Sequence, residues 1–185
     1  KRSALFLRAK IYRSIHEWFA SNDFLLVETP IRLPCPALED YIDAEESGTQ
    51  WLRTSPELHM KRLLAAEYEN IYQLGPCFRK DERGRRHLPE FAMLEWYRLK
   101  ADWRDILQDT KDLLRFALQK SLGTAKCLFQ ENEVDFSAEW DEITVEEAFL
   151  RYGEGITLQE SLQKDCFEEI LVSKIEPFLG FERPL

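Results

Sequence analysis

The signatures of a metal centre or a disulfide scaffold are missing from this chain. Its four cysteines, Cys35, Cys77, Cys127 and Cys166, lie about forty or more residues apart, with no CxxC pair and no histidine at ligand spacing. Such spacing excludes a zinc finger or ribbon and offers no disulfide framework, so reduced, mostly buried thiols are expected. Apolar runs such as Phe24 to Val27 and Leu113 to Leu118 are far too short to span a bilayer. The chain does not open on a charged start, an apolar stretch and a small-residue cleavage site, which points to a cytoplasmic protein without a membrane partner. Basic residues are in deficit: 25 Lys plus Arg against 34 Asp plus Glu leave a net charge of −9. That balance argues against a surface built to coat nucleic acid non-specifically and leaves room only for a small, locally basic site. Internal repeats, low-complexity segments and linkers are absent too, so residues 1–185 are expected to form a single domain.

What is present suits a packed core: 44% of the 185 residues are apolar and 12% aromatic. From Ala4 to Ala20 apolar residues recur at helical spacing among Arg8, Lys10, Arg13 and Glu17, the pattern of a long amphipathic helix. Ser21-Asn22-Asp23 breaks it, and Phe24 to Val27 followed by Pro30 reads as a strand that ends. Residues 34–50, rich in proline and carboxylates, read as a loop. Ser55-Pro56-Glu57 reads as a helix start with serine as cap, running to about Glu67. Ile71 to Phe78 and Phe91 to Leu99 read as two strands of a hairpin around a charged connection. Asp102 is placed to cap a helix to about Leu122, closed by Gly123. Thr144 with Glu147 resembles a capping box for a helix to about Tyr152, and Leu158 to about Ile175 reads as one amphipathic helix. The segment from about 102 to 176 is therefore helix-rich.

Chemistry concentrates in the hairpin. Alternation puts Phe91, Met93, Glu95 and Tyr97 on one face of the second strand and Ala92, Leu94, Trp96 and Arg98 on the other. A carboxylate among aromatic and apolar neighbours is costly without a partner. Either a bound cation or a structural pair with a nearby Arg or Lys would satisfy Glu95. The connection gathers Arg79, Lys80, Arg83, Arg85, Arg86 and His87 in an otherwise acidic chain. Guanidinium forks match phosphate oxygens in pairs, although Asp81 and Glu82 could neutralise part of the cluster and leave a plain solvated face.

The order of these pieces resembles class II aminoacyl-tRNA synthetases of the lysine, aspartate and asparagine subgroup. Phe24-Leu-Leu-Val-Glu-Thr-Pro30 is similar to the end of motif 1, which would span about 8–30. Phe78-Arg79 through Arg86-His87-Leu88-Pro89-Glu90-Phe91 is similar to motif 2, within about 71–98. Thr54-Ser-Pro-Glu-Leu-His-Met-Lys-Arg-Leu-Leu64 and Met93-Leu-Glu-Trp-Tyr97 look most like the lysyl-tRNA synthetase paralogues that lysylate elongation factor P.

The resemblance implies an α+β fold, an antiparallel sheet flanked by helices, and a homodimer formed through motif 1. It implies ATP and Mg2+ as cofactors, with the magnesium ligands unassigned. Arg79 would be the catalytic group, holding the ATP α-phosphate. Asp81 stands where a longer glutamate usually reads the adenine amino group, Arg86 and His87 would lie near the β- and γ-phosphates, and Leu88 replaces a usual asparagine. Phe91 would stack on adenine. Glu57 beside Ser55 would receive the α- or β-ammonium of lysine or β-lysine, and Glu95 with Tyr97 the ε-ammonium. His16 and His59 receive no role beyond packing or surface. The acceptor would be elongation factor P, the alternatives being tRNA-Lys or a non-catalytic paralogue that binds nucleotide or protein. The family's Gly-rich third motif does not occur in these residues, so a fragment or shortened chain is expected.

Overall fold

The computed structural model describes residues 2–129, 131–180 and 184, in an α+β arrangement of helices around small sheets. Contacts divide the chain into two compact units, one of residues 15–109 and the other of residues 1–14 with 110–185. Helix α1 (Arg2–Ser21) runs through the boundary at one end and α3 (Trp103–Leu122) at the other.

Residues 15–109 carry the hairpin. Strands β5 (Asn70–Phe78) and β6 (Glu90–Arg98) pair antiparallel along nine positions, from Asn70↔Arg98 to Phe78↔Glu90. The short β1 (Leu25–Leu26) adds in parallel, Leu25 opposite Ile71. One face of this sheet packs on aromatic side chains from the end of α1 and from Phe24. Phe19 stacks on Tyr72 with centroids 4.2 Å apart, and it touches Trp96 at 5.8 Å. Arg98 lies 4.4 Å over the Phe24 ring and closes a two-bond pair with Asp109. Alternation then leaves Gln73, Gly75, Cys77, Phe91, Met93, Glu95 and Tyr97 on the opposite face. A second small sheet joins β2 (Arg32–Leu33), β4 (Gln50–Leu52) and β3 (Glu46–Ser47) in the order β2-β4-β3. The expected loop 34–50 thus ends in a hairpin, which turns at Gly48 with φ +68°.

Helix α2 (Glu57–Ala65) starts two residues after Ser55, with Pro56 at the cap position and no side-chain cap bond. Ser55 therefore does not cap it; Pro56, already helical at φ −83° and ψ −6°, opens the turn itself. The helix stops before Glu67, whose φ of +65° no helix accommodates.

Helix α3 is capped by Asp102, whose Oδ1 accepts the Arg104 N–H at 2.7 Å, and in the other unit Gly123 follows it at φ +79°. A hairpin that sequence patterning did not reveal, β7 (Lys126–Phe129) with β8 (Asn132–Asp135), comes next. Its signal is weak because its exposed charges obscure the alternation. Thr144 and Glu147 form the expected capping box on α4 (Val145–Tyr152). The single helix expected over 158–175 is instead three pieces: α5 (Leu158–Gln163), α6 (Phe167–Ile170) and a π-helical turn, Leu171–Ile175. Asp165 at φ +52° breaks the first from the second. Ala148, Phe149, Ile170 and Ile175 form the core here. Of the cysteines only Cys77 is buried; Cys35 is exposed and Cys127 and Cys166 are intermediate. The expectation of mostly buried thiols fails because three of the four lie outside the paired core of β5 and β6.

Candidate active site

Every residue singled out in the hairpin and at the start of α2 falls in residues 15–109. On the face turned away from α1, Glu95 is half-buried and accepts a hydrogen bond from Tyr97 Oη at 2.5 Å. Burial pushes the Glu95 carboxyl above its ordinary value; the Tyr97 hydrogen bond opposes this, and the nearby charge of Glu57 reinforces it. Tyr97 is pushed far above the usual tyrosine range by burial first, then by its bond to Glu95 and the charges of Glu95 and Glu57. The three groups thus share one electrostatic environment. Among the described residues no Lys or Arg forms an ion pair with Glu95, so the structural-pair alternative is not realised.

Glu57 stands in the first turn of α2, where the helix dipole favours a carboxylate. Its Oε1 accepts a hydrogen bond from Lys61 Nζ at 2.5 Å, with the Lys61 and Glu57 side chains 56% and 46% exposed. A helical surface pair of this kind is worth about 0.3–0.5 kcal/mol, so an incoming ammonium can displace Lys61 at little cost. Ser55 lies nearby in sequence but contributes no cap.

Arg79 follows β5, and its N–H donates to Pro89 O at 2.9 Å, closing the connection. Its guanidinium lies 5.2 Å over the Phe91 ring and 3.9 Å from Glu82. Its Nε is buried and has no hydrogen-bond partner. An orphaned guanidinium donor beside an aromatic ring fits an anion attached to a flat ring system. The structure thus brings Arg79 and Phe91 together, and Glu95, Tyr97 and Glu57 together. Asp81, Arg86, His87 and Leu88 stand on the exposed connection. Asp81 adopts φ +60° and its carbonyl accepts the Arg83 N–H, while Gly84 N–H donates to His87 O across the tip. Asp81, Glu82, Arg83, Gly84 and His87 line a cleft of about 300 Å³. His16 packs as expected, its Nδ1 2.9 Å from Tyr72 Oη.

Residues 1–173 match the family of tRNA synthetases class II (D, K and N). The chain belongs to that family. Lysine–tRNA ligase of Actinobacillus pleuropneumoniae serotype 5b (strain L20) is 33% identical over 186 residues, covering 98% of this chain and 36% of that protein. Lysine–tRNA ligase of Legionella pneumophila (strain Corby) is 32% identical, over 86% of this chain and 33% of the relative. Elongation factor P–(R)-β-lysine ligase of Proteus mirabilis (strain HI4320) is 36% identical, over 97% of this chain and 60% of the relative. This class II chain thus spans about a third of the length of the lysine–tRNA ligases it matches.

Two positions around the candidate site escaped sequence reading. Arg53 is 3% exposed and Gln73 is 3% exposed, both beside the site face. Gln73 Oε1 accepts the Thr29 N–H at 2.9 Å and lies directly across from Glu95 in the ladder. A polar residue at an alternating strand position facing Glu95 was the available signal. Among the described residues no set of three or more His, Cys, Asp or Glu side chains is placed to hold a metal ion. Among the described residues no helix is long and apolar enough to cross a membrane.

Proposed function

We propose that this chain carries the amino-acid and ATP sites of a cytoplasmic ligase that activates lysine or (R)-β-lysine as an aminoacyl-adenylate and passes it to a lysine side chain of elongation factor P. The observation that carries the reading is the half-buried Glu95 carboxylate, held by Tyr97, without an ion-pair partner and within the field of Glu57. Two carboxylates at separate points of one pocket suit a diamino acid. An analogue lacking either ammonium would leave a carboxylate unpaired, which is the strongest form of discrimination a polar site has.

In this reading the substrate ε-ammonium docks on Glu95 and Tyr97, and the second ammonium displaces Lys61 from Glu57. The substrate carboxylate oxygen then attacks the α-phosphorus of ATP; the new P–O bond forms as the bond to pyrophosphate breaks. Arg79 faces the charge that grows on the phosphoryl oxygens, with its unpartnered Nε available to donate, while Phe91 supplies an aromatic face for adenine. Arg86 and His87 stand on the exposed connection, where the pyrophosphate end would lie, and Mg2+ would accompany it. Leu25, Leu26 and Ile31, exposed along the motif 1 strand and just beyond it, support association through that segment with a second copy.

The second reading is lysine–tRNA ligase activity, favoured by the relatives of that name at 33% identity. The acceptor separates the two. Charging of elongation factor P but not of tRNA-Lys by the full-length protein is the expected result, and the reverse would replace the first reading by the second. Both readings require lysine- or β-lysine-dependent exchange of pyrophosphate into ATP. Absence of exchange with every amino acid tested would overturn both. Arg79→Ala is expected to slow that exchange by roughly 10² to 10³, the scale of losing one charge stabiliser in the transition state.

A further inference from the structure

Arg53, between β4 and α2, is a charged side chain with an unusual environment. It is 3% exposed, yet its side chain is held by neutral oxygens: Nε donates to Pro76 O, and Nη1 to both Thr29 O and Thr29 Oγ1, all at 2.9 Å. Among the described residues no carboxylate lies in ion-pair distance of it. Burying a guanidinium without a paired anion costs several kcal/mol, so a fold that keeps one uses its fixed geometry. The main chain at this residue is tied as firmly. Arg53 N–H donates to Ile31 O at 2.8 Å, and Arg53 O accepts the Phe78 N–H at 2.9 Å.

One residue therefore joins the segment beyond β1 to the last turns of β5. Two positions after it comes Ser55 and four after it Glu57, while Phe78 is followed directly by Arg79. The remaining nitrogen, Nη2, lies 2.8 Å from where a Cβ on Gly75 would stand. The guanidinium crosses the strand over the single position that has no side chain. Gly75 sits between Gln73 and Cys77 on the face that also bears Glu95. Charged and titratable groups around Glu95 are Glu57 and Lys61 from α2, Tyr97 from its own strand, the buried Cys77 thiol from β5, which also bonds to Arg53, and Arg53 itself; Arg53 and Lys61 both favour the ionised carboxylate against its burial.

We propose that Arg53 is the positioning residue of the diamino-acid pocket: closed on Thr29 and Pro76 and lying across Gly75, it sets where the Ser55–Glu57 turn stands against Glu95, and so which spacing of two ammonium groups the pocket accepts. The inference rests on the diamino-acid reading above. Lysine separates its two ammonium groups by one bond more than ornithine and β-lysine do, and those two differ only in where the carboxylate is attached, so a shift of Glu57 relative to Glu95 alters the ranking of lysine against the other two rather than reactivity in general.

Pyrophosphate exchange with each of the three amino acids, measured on the full-length protein and its variants, tests it. Gly75→Ala keeps every donor and acceptor but pushes Nη2 out of place, and Arg53→Lys keeps the charge but loses the fork. Each is expected to raise KM for the preferred diamino acid about tenfold and to change its preference over the others, with KM for ATP within about twofold of the parent. Unchanged amino-acid preference in Gly75→Ala, or a parallel rise of both KM values, overturns the proposal even if Arg53→Lys fails to fold. A parent protein that exchanges with no diamino acid overturns the underlying reading, and this inference falls with it.

Discussion

At Glu95 the carboxyl sits above the ordinary glutamate value of about 4.5, burial being the first cause. A carboxyl whose native pKa is raised favours the folded state in its protonated form. Its contribution is therefore complete below about pH 4.5 and is lost as pH rises through the native value. Above that range the half-buried Glu95 carboxylate is a destabilising charge. Glu95→Gln keeps an acceptor for Tyr97 Oη and removes the charge, so thermal unfolding at pH 7 is expected to move up by about 2 °C, the scale of a half-exposed group discounted for solvent screening. The gain should vanish near pH 4, and lysine-dependent exchange should fall at the same time. A variant less stable at pH 7 would show that Glu95 is satisfied by the protein rather than left for a cation. At this scale the sequence was informative: strict alternation along Phe91-Ala-Met-Leu-Glu-Trp-Tyr97 placed Glu95 and Tyr97 together before any contact was known. It could not show that Lys61 already occupies Glu57, because an i,i+4 pair competes with solvent and with any ligand.

Among the elements, local capping chemistry was read correctly where it is self-contained. Thr144 Oγ1 accepts the Glu147 N–H at 3.1 Å, and Glu147 Oε2 accepts the Thr144 N–H at 2.8 Å. The same reciprocal box recurs at Thr157 and Glu160 and starts α5. Thr144→Ala is expected to destabilise the chain by about 1 kcal/mol, measurable as a lower urea midpoint with unchanged slope. No change would mean that packing of Phe149, rather than the cap, starts α4. Capping is legible because partners lie three residues apart. The break at Asp165 was not, since a positive φ at an acidic residue is imposed by how neighbouring segments meet rather than by propensity. The β7–β8 hairpin escaped for a related reason. Its exposed Leu128 and Phe129 and its charged cross-strand contacts of Lys126 with Glu133 and Asp135 do not follow a simple inside-outside alternation.

For the whole molecule, each compact unit has its own aromatic anchor. Phe19 is 0% exposed against Tyr72, Phe24 and Trp96 in one, and Phe149 is 1% exposed in the cluster with Ile170 and Ile175 in the other. Phe19→Ala is expected to cost about 3–5 kcal/mol in chemical denaturation, the range for deleting a buried phenylalanine. A loss under about 1 kcal/mol would mean that the sheet does not depend on α1. The charged connection and the carboxylate among aromatics follow from period-two alternation and local charge, which neighbouring residues carry by themselves, whereas the α+β fold was implied by the resemblance of the motifs. What the tertiary structure decided is the setting of that carboxylate. Arg53 reaches Pro76 and Thr29, 23 and 24 positions away, and lies across Gly75. Backbone periodicity sets which face a side chain takes, but which distant segment crosses that face depends on how the strands and loops close in space.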